Sequence, residues 1–222
     1  MDQNKAALKK QGKKDDEEDF SPLAQNPNPF SELAYETYQE LKEERILLIN
    51  GDLKEDLIEK ATIPLMQMAQ EKGPIQIYIN SFGGSINDSQ SVVDVMQTIN
   101  NPIITMAFGK AMSAGFDIFL AGDYRISYPN TVFMCHSGAA SLGLQTLPAQ
   151  IVEAKLHEEY FKRWAKFYAN RTKISEKEWL DLLNSGKNRY FFPEEALNVG
   201  IAHHVVSPGK KPDMKKILKM SW

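Results

Sequence analysis

Cysteine is almost absent. Cys135 is the single one in the chain, so no internal disulfide can form, and a reducing compartment, the cytoplasm, is the simplest setting. Metal-site spacing is lacking as well: the four histidines contain no HExxH pair and none stands near paired cysteines, so no metal and no other cofactor is expected. No apolar run reaches the roughly 18 residues that a membrane span needs, and the N-terminal residues show no secretory-type apolar stretch, so no membrane partner is expected. Charge of one sign is not in excess: 26 Lys and Arg against 29 Asp and Glu leave a net −3. The cations form no stripe with interleaved aromatics, which argues against nucleic acid as a partner. What is present is enough apolar material, 42% of 222 residues, for one sizeable core.

Three regions follow from composition. Residues 1–30 set a basic cluster (Lys9, Lys10, Lys13, Lys14) against an acidic run from Asp15 to Asp19, then add prolines at 22, 27 and 29. So few bulky side chains cannot offset the entropy of ordering them, and a flexible tail is expected. An α/β domain is expected over 31–208, and a basic C-terminal extension over 209–222. Within the domain, Arg45–Ile49 reads as a strand ended by Asn50-Gly51, and a helix is predicted over Asp56–Glu71, stopped by Gly73-Pro74. Ile75–Ile79 is a second strand followed by a glycine turn at Gly83-Gly84 and a helix from Ile86 to Ile99. Ile103–Phe108 is continuously apolar, as a parallel strand covered on both faces should be. A helix is predicted from near Ser113 to Ala121, then short strands at Tyr124–Ser127 and Thr131–Cys135. Pro148 opens a long helix to about Asn170 whose apolar side chains serve either the core or an oligomer face. Ser175 and Glu178 form a capping box, and Pro193 begins a short helix ending near Gly200. Repeated strand–turn–helix units argue a parallel βαβ architecture.

Two glycine-rich segments follow core strands: Asn80-Ser81-Phe82-Gly83-Gly84 and Gly109-Lys110-Ala111-Met112-Ser113-Ala114-Gly115. Neither has the spacing of a nucleotide-binding loop. They serve either as tight βα turns or as a cradle of backbone N–H groups for an anion. A serine at a helix start beside such groups has an exposed hydroxyl and a ready oxyanion hole. His136 ends the apolar strand Val132–Cys135, where α/β folds tend to place active-site groups, although a lone histidine also occurs as a satisfied structural residue. His157, His203 and His204 offer less, the first inside a helix and the others adjacent near the chain end.

These segments, Tyr78–Gly84 (YINSFGG), Gly109–Gly115 (GKAMSAG) and Pro129–His136 (PNTVFMCH), resemble the proteolytic subunit of the Clp (caseinolytic) protease family. So do Leu41–Asp56 (LKEERILLINGDLKED) and Phe192–Gly200 (FPEEALNVG), and the resemblance runs over about residues 41 to 206 in the family's order. It implies the α/β spiral of repeated β-β-α units shared with crotonases, with a protruding long handle helix. Carried over, Ser113 matches the nucleophile and His136 the general base. Gly84 and Ala114 match the backbone donors of the oxyanion hole. Ser85, Ile86 and Ala139 match the segments that hold an extended peptide by main-chain hydrogen bonds. The implied partners are a polypeptide substrate, a homo-oligomeric ring that admits two stacked heptamers, and an AAA+ unfoldase or other activator.

The chain departs from the family at its third triad position, where Asn188 stands in place of aspartate. An asparagine can accept from the far ring nitrogen of the base but brings no charge to steady the imidazolium. In trypsin the same exchange costs about 10⁴ in turnover, whereas papain-like enzymes work with asparagine there. Asp181 and Glu178 are candidate substitute carboxylates. The docking surface for an unfoldase is altered: Tyr78 is kept, but its expected neighbours are Gln76, Thr98 and Ile126. The charged tail stands where the family has a short apolar gating hairpin, and Lys187 stands where an arginine helps to join two rings. The resemblance thus implies a serine-type endopeptidase weakened by Asn188. The alternatives are a non-catalytic ring subunit co-assembling with an active relative and, on fold analogy alone, an acyl-CoA enzyme of the crotonase superfamily.

Overall fold

The computed structural model describes residues 37–138, 146–210 and 212–219. Contacts group the chain into Met1–Thr37 and Tyr38–Trp222, and the elements below all lie in the second unit. Its centre is a parallel sheet in the order β1 (Ile46–Leu53), β2 (Ile75–Gly84), β3 (Ile103–Met112), β4 (Tyr124–Ser127), β7 (His204–Val205). A second pairing branches from β3: its end, Lys110 to Met112, runs parallel to β5 (Val132–Cys135), which in turn pairs antiparallel with β6 (Arg189–Phe191). Strand β3 therefore serves β4 with residues 104–107 and β5 with residues 110–112. This division brings the C-terminal ends of β3 and β5 side by side.

Two strands run further than their sequence suggests. Strand β1 does not stop at Asn50-Gly51; the register shifts between Asn50 and Asp52, and Asp52 and Leu53 then pair with Gly83 and Gly84. The predicted glycine turn at Gly83-Gly84 is accordingly the last two residues of β2. A one-residue irregularity in an otherwise apolar strand bends it without ending the pairing when partners lie beyond. The helix predicted over Asp56–Glu71 is shorter and broken in character. A π-helical turn, Ile58–Thr62, leads into α1 (Ile63–Met68), and Pro64, which has no N–H to give to the preceding turn, stands just past this change of hydrogen-bond pattern.

Further helices are α2 (Ile86–Thr98), α3 (Ala114–Ala121), α4 (Leu147–Ala169), α5 (Glu176–Asn184), α6 (Pro193–Asn198) and α7 (Met214–Ile217). The Ser175–Glu178 capping box opens α5 as expected, each side chain meeting the other's backbone N–H. Helix α3 is buried along its whole length, and its Phe116 stacks on Phe191 of β6 and meets Tyr168 of α4 edge-on at 5.7 Å. The long helix α4 divides in two. Its C-terminal half enters the core through Ala165 and Tyr168, while Leu147, Ile151, Val152 and Leu156 of its N-terminal half are exposed. The core reading thus holds for the C-terminal half, while the apolar side chains of the N-terminal half lie outside this core.

A smaller apolar cluster lies across β3 and β4, where Ile104, Met106 and Ile126 are covered by Val206 and Ile217. Ile126, expected on a docking surface beside Tyr78, is instead fully buried there. The alternation of β4 turns Ile126 toward the C-terminal segment. Arg125 is buried as well, its guanidinium donating to the carbonyls of Gly122, Arg171, Gly200 and Ile201. Among the described residues no helix is long and apolar enough to cross a membrane.

Candidate active site

Ser113 sits between the end of β3 and the first residue of α3, with φ 52 and ψ −128, a backbone conformation rare for a residue with a side chain. Three backbone hydrogen bonds hold it: its N–H donates 2.8 Å to the Met134 carbonyl of β5, and its own carbonyl accepts from Phe116 at 2.8 Å and from Asp117 at 3.2 Å. The strand pairing thus forces the turn, and the turn lifts the hydroxyl to the mouth of a cavity. Strain of this kind persists only where the surroundings over-determine it, and it clusters at functional positions.

His136 follows the last residue of β5, and its Nε2 lies 2.8 Å from Ser113 Oγ. Burial holds the imidazole below its ordinary pKa, opposed by a hydrogen bond with the Asn188 side chain. Burial thus favours the neutral ring, the form that can accept a proton. Asn188 reaches this row from the loop before β6. It is exposed, and its Nδ2 donates to Tyr190 Oη at 3.4 Å, which leaves the amide oxygen for the histidine. Neither proposed substitute carboxylate takes part. Glu178 is held by the cap of α5, and Asp181 pairs with Lys177 at 2.6 Å. Both are bound within their own helix, and only burial and Asn188 move the titration of His136.

The glycines of β2 complete the turn. A Cβ on Gly83 would stand 2.7 Å from both the Met112 carbonyl oxygen and Ser113 Cβ, and 3.0 Å from Ala114 N. Only glycine allows this approach. Gly84, at φ +151, lies so close to Leu53 of β1 that a side chain would collide with its carbonyl oxygen. Gly84 lines the cavity, and Ala114 opens α3, so its N–H is one of those without an intrahelical partner. Ser81, part of the sequence motif, ties Gly83 to Gly51 of β1. Its buried hydroxyl donates to the Gly51 carbonyl at 2.5 Å and accepts from Gly83 N–H at 3.0 Å. Of the expected peptide-holding residues, Ser85 caps α2 by accepting from Asp88 N, and Ile86 lines the cavity beside Gly138. Ala139 lies outside the described residues.

The cavity has a volume of about 530 Å³ and runs inward from Ser113 and His136. Its walls include Met134, Tyr160, Phe161, Trp164 and Leu183. Asp117, in the first turn of α3 and 7% exposed, also lines it and accepts from Tyr168 Oη at 2.5 Å. Burial raises its carboxyl to about 7 despite the lowering by that hydrogen bond. Sequence reasoning passed over Asp117. The available signal was an acidic residue in the otherwise apolar stretch Ala114–Ala121, on the helix face shared by residues four apart. His157 also reaches the cavity wall, whereas His203 is structural, packed on Arg125, with burial and that cation lowering it to about 4. Among the described residues no cluster of histidine, cysteine and carboxylate side chains is arranged to hold a metal ion.

The Clp protease family model matches residues 30–209. Two similar relatives are "ATP-dependent Clp protease proteolytic subunit 3" of Streptomyces avermitilis, 29% identical over 78% of this chain and 80% of that one, and the "ATP-dependent Clp protease proteolytic subunit" of Deinococcus radiodurans, 29% identical over 79% and 86%. Among solved structures, an asparagine-to-aspartate mutant of ClpP1 from Listeria monocytogenes superposes with a TM-score of 0.68 at 26% identity, covering 78% of this chain and 97% of that one. With the match spanning most of the sequence, and the fold agreeing, the chain belongs to the Clp protease family.

Proposed function

We propose that this chain is a serine endopeptidase that cleaves unfolded polypeptides through an acyl-enzyme, with Ser113 as nucleophile and His136 as general base. The observation that carries this reading is the 2.8 Å contact between Ser113 Oγ and His136 Nε2 on a serine held in a strained turn. As Oγ bonds to the scissile carbonyl carbon, its proton passes to Nε2. The C–N bond then breaks and that proton leaves on the amine. Water attacks the resulting ester, gives a proton to His136, and the acid departs as the proton returns to Oγ. Gly84 and Ala114 N–H groups are the assigned donors to the developing oxyanion. Asn188 orients the imidazole through its amide oxygen but adds no charge, so the base is weakly supported and turnover is low.

Family membership supports the finer architecture: a spiral of repeated units with α4 as a handle, its exposed N-terminal half meeting a second copy in a homo-oligomeric ring that can stack on another. An unfoldase or other activator feeding that ring is the matching partner, in a cytoplasmic setting. Asn188 also favours a second reading, a ring subunit without turnover of its own.

A fluorophosphonate probe on the assembled protein separates the two. Labelling that Ser113→Ala abolishes supports the peptidase; absence of labelling supports the silent subunit.

A further inference from the structure

We propose that the cavity behind Ser113 is a selective pocket for a basic side chain, lysine or arginine, on the acyl side of the cleaved bond, with Asp117 as the group that recognises it. The inference rests on the peptidase reading of Ser113.

Position is the first argument. Asp117 lies in the first turn of α3, its N–H donates to the Ser113 carbonyl at 3.2 Å, and both residues line the one cavity. A substrate residue whose carbonyl lies at Ser113 can therefore extend a long lysine or arginine side chain into the space that Asp117 lines.

Chemistry is the second. A carboxylate has room for about four hydrogen bonds. Asp117 receives one, from Tyr168 Oη, and is otherwise almost removed from water. The buried Cys135 thiol and Tyr168 hydroxyl are both pushed toward their neutral forms and supply no cation. Among the described residues that line the cavity, Asp117 is the one carboxyl group, and neither lysine nor arginine is present. A buried acid without a cation is costly in an empty pocket, and the cost falls when a ligand supplies the cation.

The walls suit the rest of such a side chain. Phe161, Met134 and Leu183 offer apolar surface to a methylene stem, and Trp164 and Tyr160 add aromatic rings to the same wall. A volume of about 530 Å³ holds an arginine as readily as a lysine. A pocket built for a leucine or phenylalanine has no use for an acid at its end.

The test compares peptidyl diphenyl phosphonates on the assembled full-length protein. The reagents carry lysine or norleucine at the acyl-side position, two side chains of similar length that differ in the ammonium. A small fluorophosphonate without a side chain is run in parallel. The lysine reagent is expected to label Ser113 at least about tenfold faster than norleucine, the scale of a hydrogen bond to a charged group. In Asp117→Asn, which keeps shape and removes charge, the two rates, each taken relative to the small probe on the same variant, converge. Equal or faster labelling by norleucine in the unmodified protein overturns the proposal without any variant having to fold. Failure of the small probe as well removes the nucleophile assignment and this proposal with it.

Discussion

Ser113 and Asn188 stand at opposite ends of one hydrogen-bonded row through His136, yet the fold treats them differently. Ser113 is fixed by the pairing of β3 with β5, by the start of α3 and by the close backbone of Gly83, which is itself tied to Ser81. Asn188 sits exposed on a loop before a three-residue edge strand, with a 3.4 Å contact to Tyr190. The first end is determined by backbone geometry that the sheet cannot form in another way. The second depends on one side chain that carries no charge. The position of Ser113 is therefore set by the requirements of folding, while that of Asn188 rests on one exposed side chain.

The largest expected effect tests the rigid end. Gly83→Ala places a methyl group 2.7 Å from Ser113 Cβ and the Met112 carbonyl oxygen, neither of which can move without opening the β3–β5 junction. A displacement of about 1 Å at a reacting atom costs on the order of a hundredfold. Fluorophosphonate labelling of Ser113 is expected to slow by at least that factor, with the far-ultraviolet circular dichroism unchanged. Retained labelling would show that the nucleophile is set by something other than the packing of β2 against the turn.

A gain is expected at the loose end. Asn188→Asp places a charge beside His136, and an exposed position screens part of its effect. Peptidase turnover should rise by at least about tenfold, well short of the roughly 10⁴ seen where the triad aspartate is buried. The pH profile carries an independent signature. The base works in its neutral form, so kcat/KM falls as pH drops through the pKa of His136, which burial now holds below the ordinary histidine value. A neighbouring carboxylate favours the imidazolium and raises that pKa, so the acid limb moves to higher pH. A faster enzyme with an unmoved limb would mean that the introduced carboxylate acts on geometry and not on charge.

The same contrast governs what was legible beforehand. Ser113, His136 and the capping box of Ser175 and Glu178 were readable because each lies at the end of a strand or the start of a helix, where local sequence carries the signal. The reach of β1 to Leu53 and of β2 to Gly84 was not, since each tail is extended only because the other is there to pair with it. Ile126 was misplaced for a related reason: its cover is Val206 and Ile217, about eighty residues and more along the chain. The two candidate carboxylates, Glu178 and Asp181, failed because helical neighbours three and four residues away claim them first. Asp117 went unread since an acid inside an apolar helix has no meaning until Tyr168, fifty-one residues later, is found against it.

The smallest effect sharpens the role of Tyr190. With Asn188 Nδ2 donating to Tyr190 Oη, the amide oxygen is the atom presented to His136. Tyr190→Phe removes that preference, and a rotated amide would turn its NH₂ toward the ring nitrogen that must itself donate. An exposed hydrogen bond of this length contributes little to stability, so the fold is expected to be unaffected and turnover to fall by about two- to threefold. A carboxylate has two equivalent oxygens and cannot be turned the wrong way. In an Asn188→Asp background, Tyr190→Phe should therefore have no effect on turnover. An equal loss in both backgrounds would assign Tyr190 to the packing of β6 and leave the orientation of Asn188 to its own backbone.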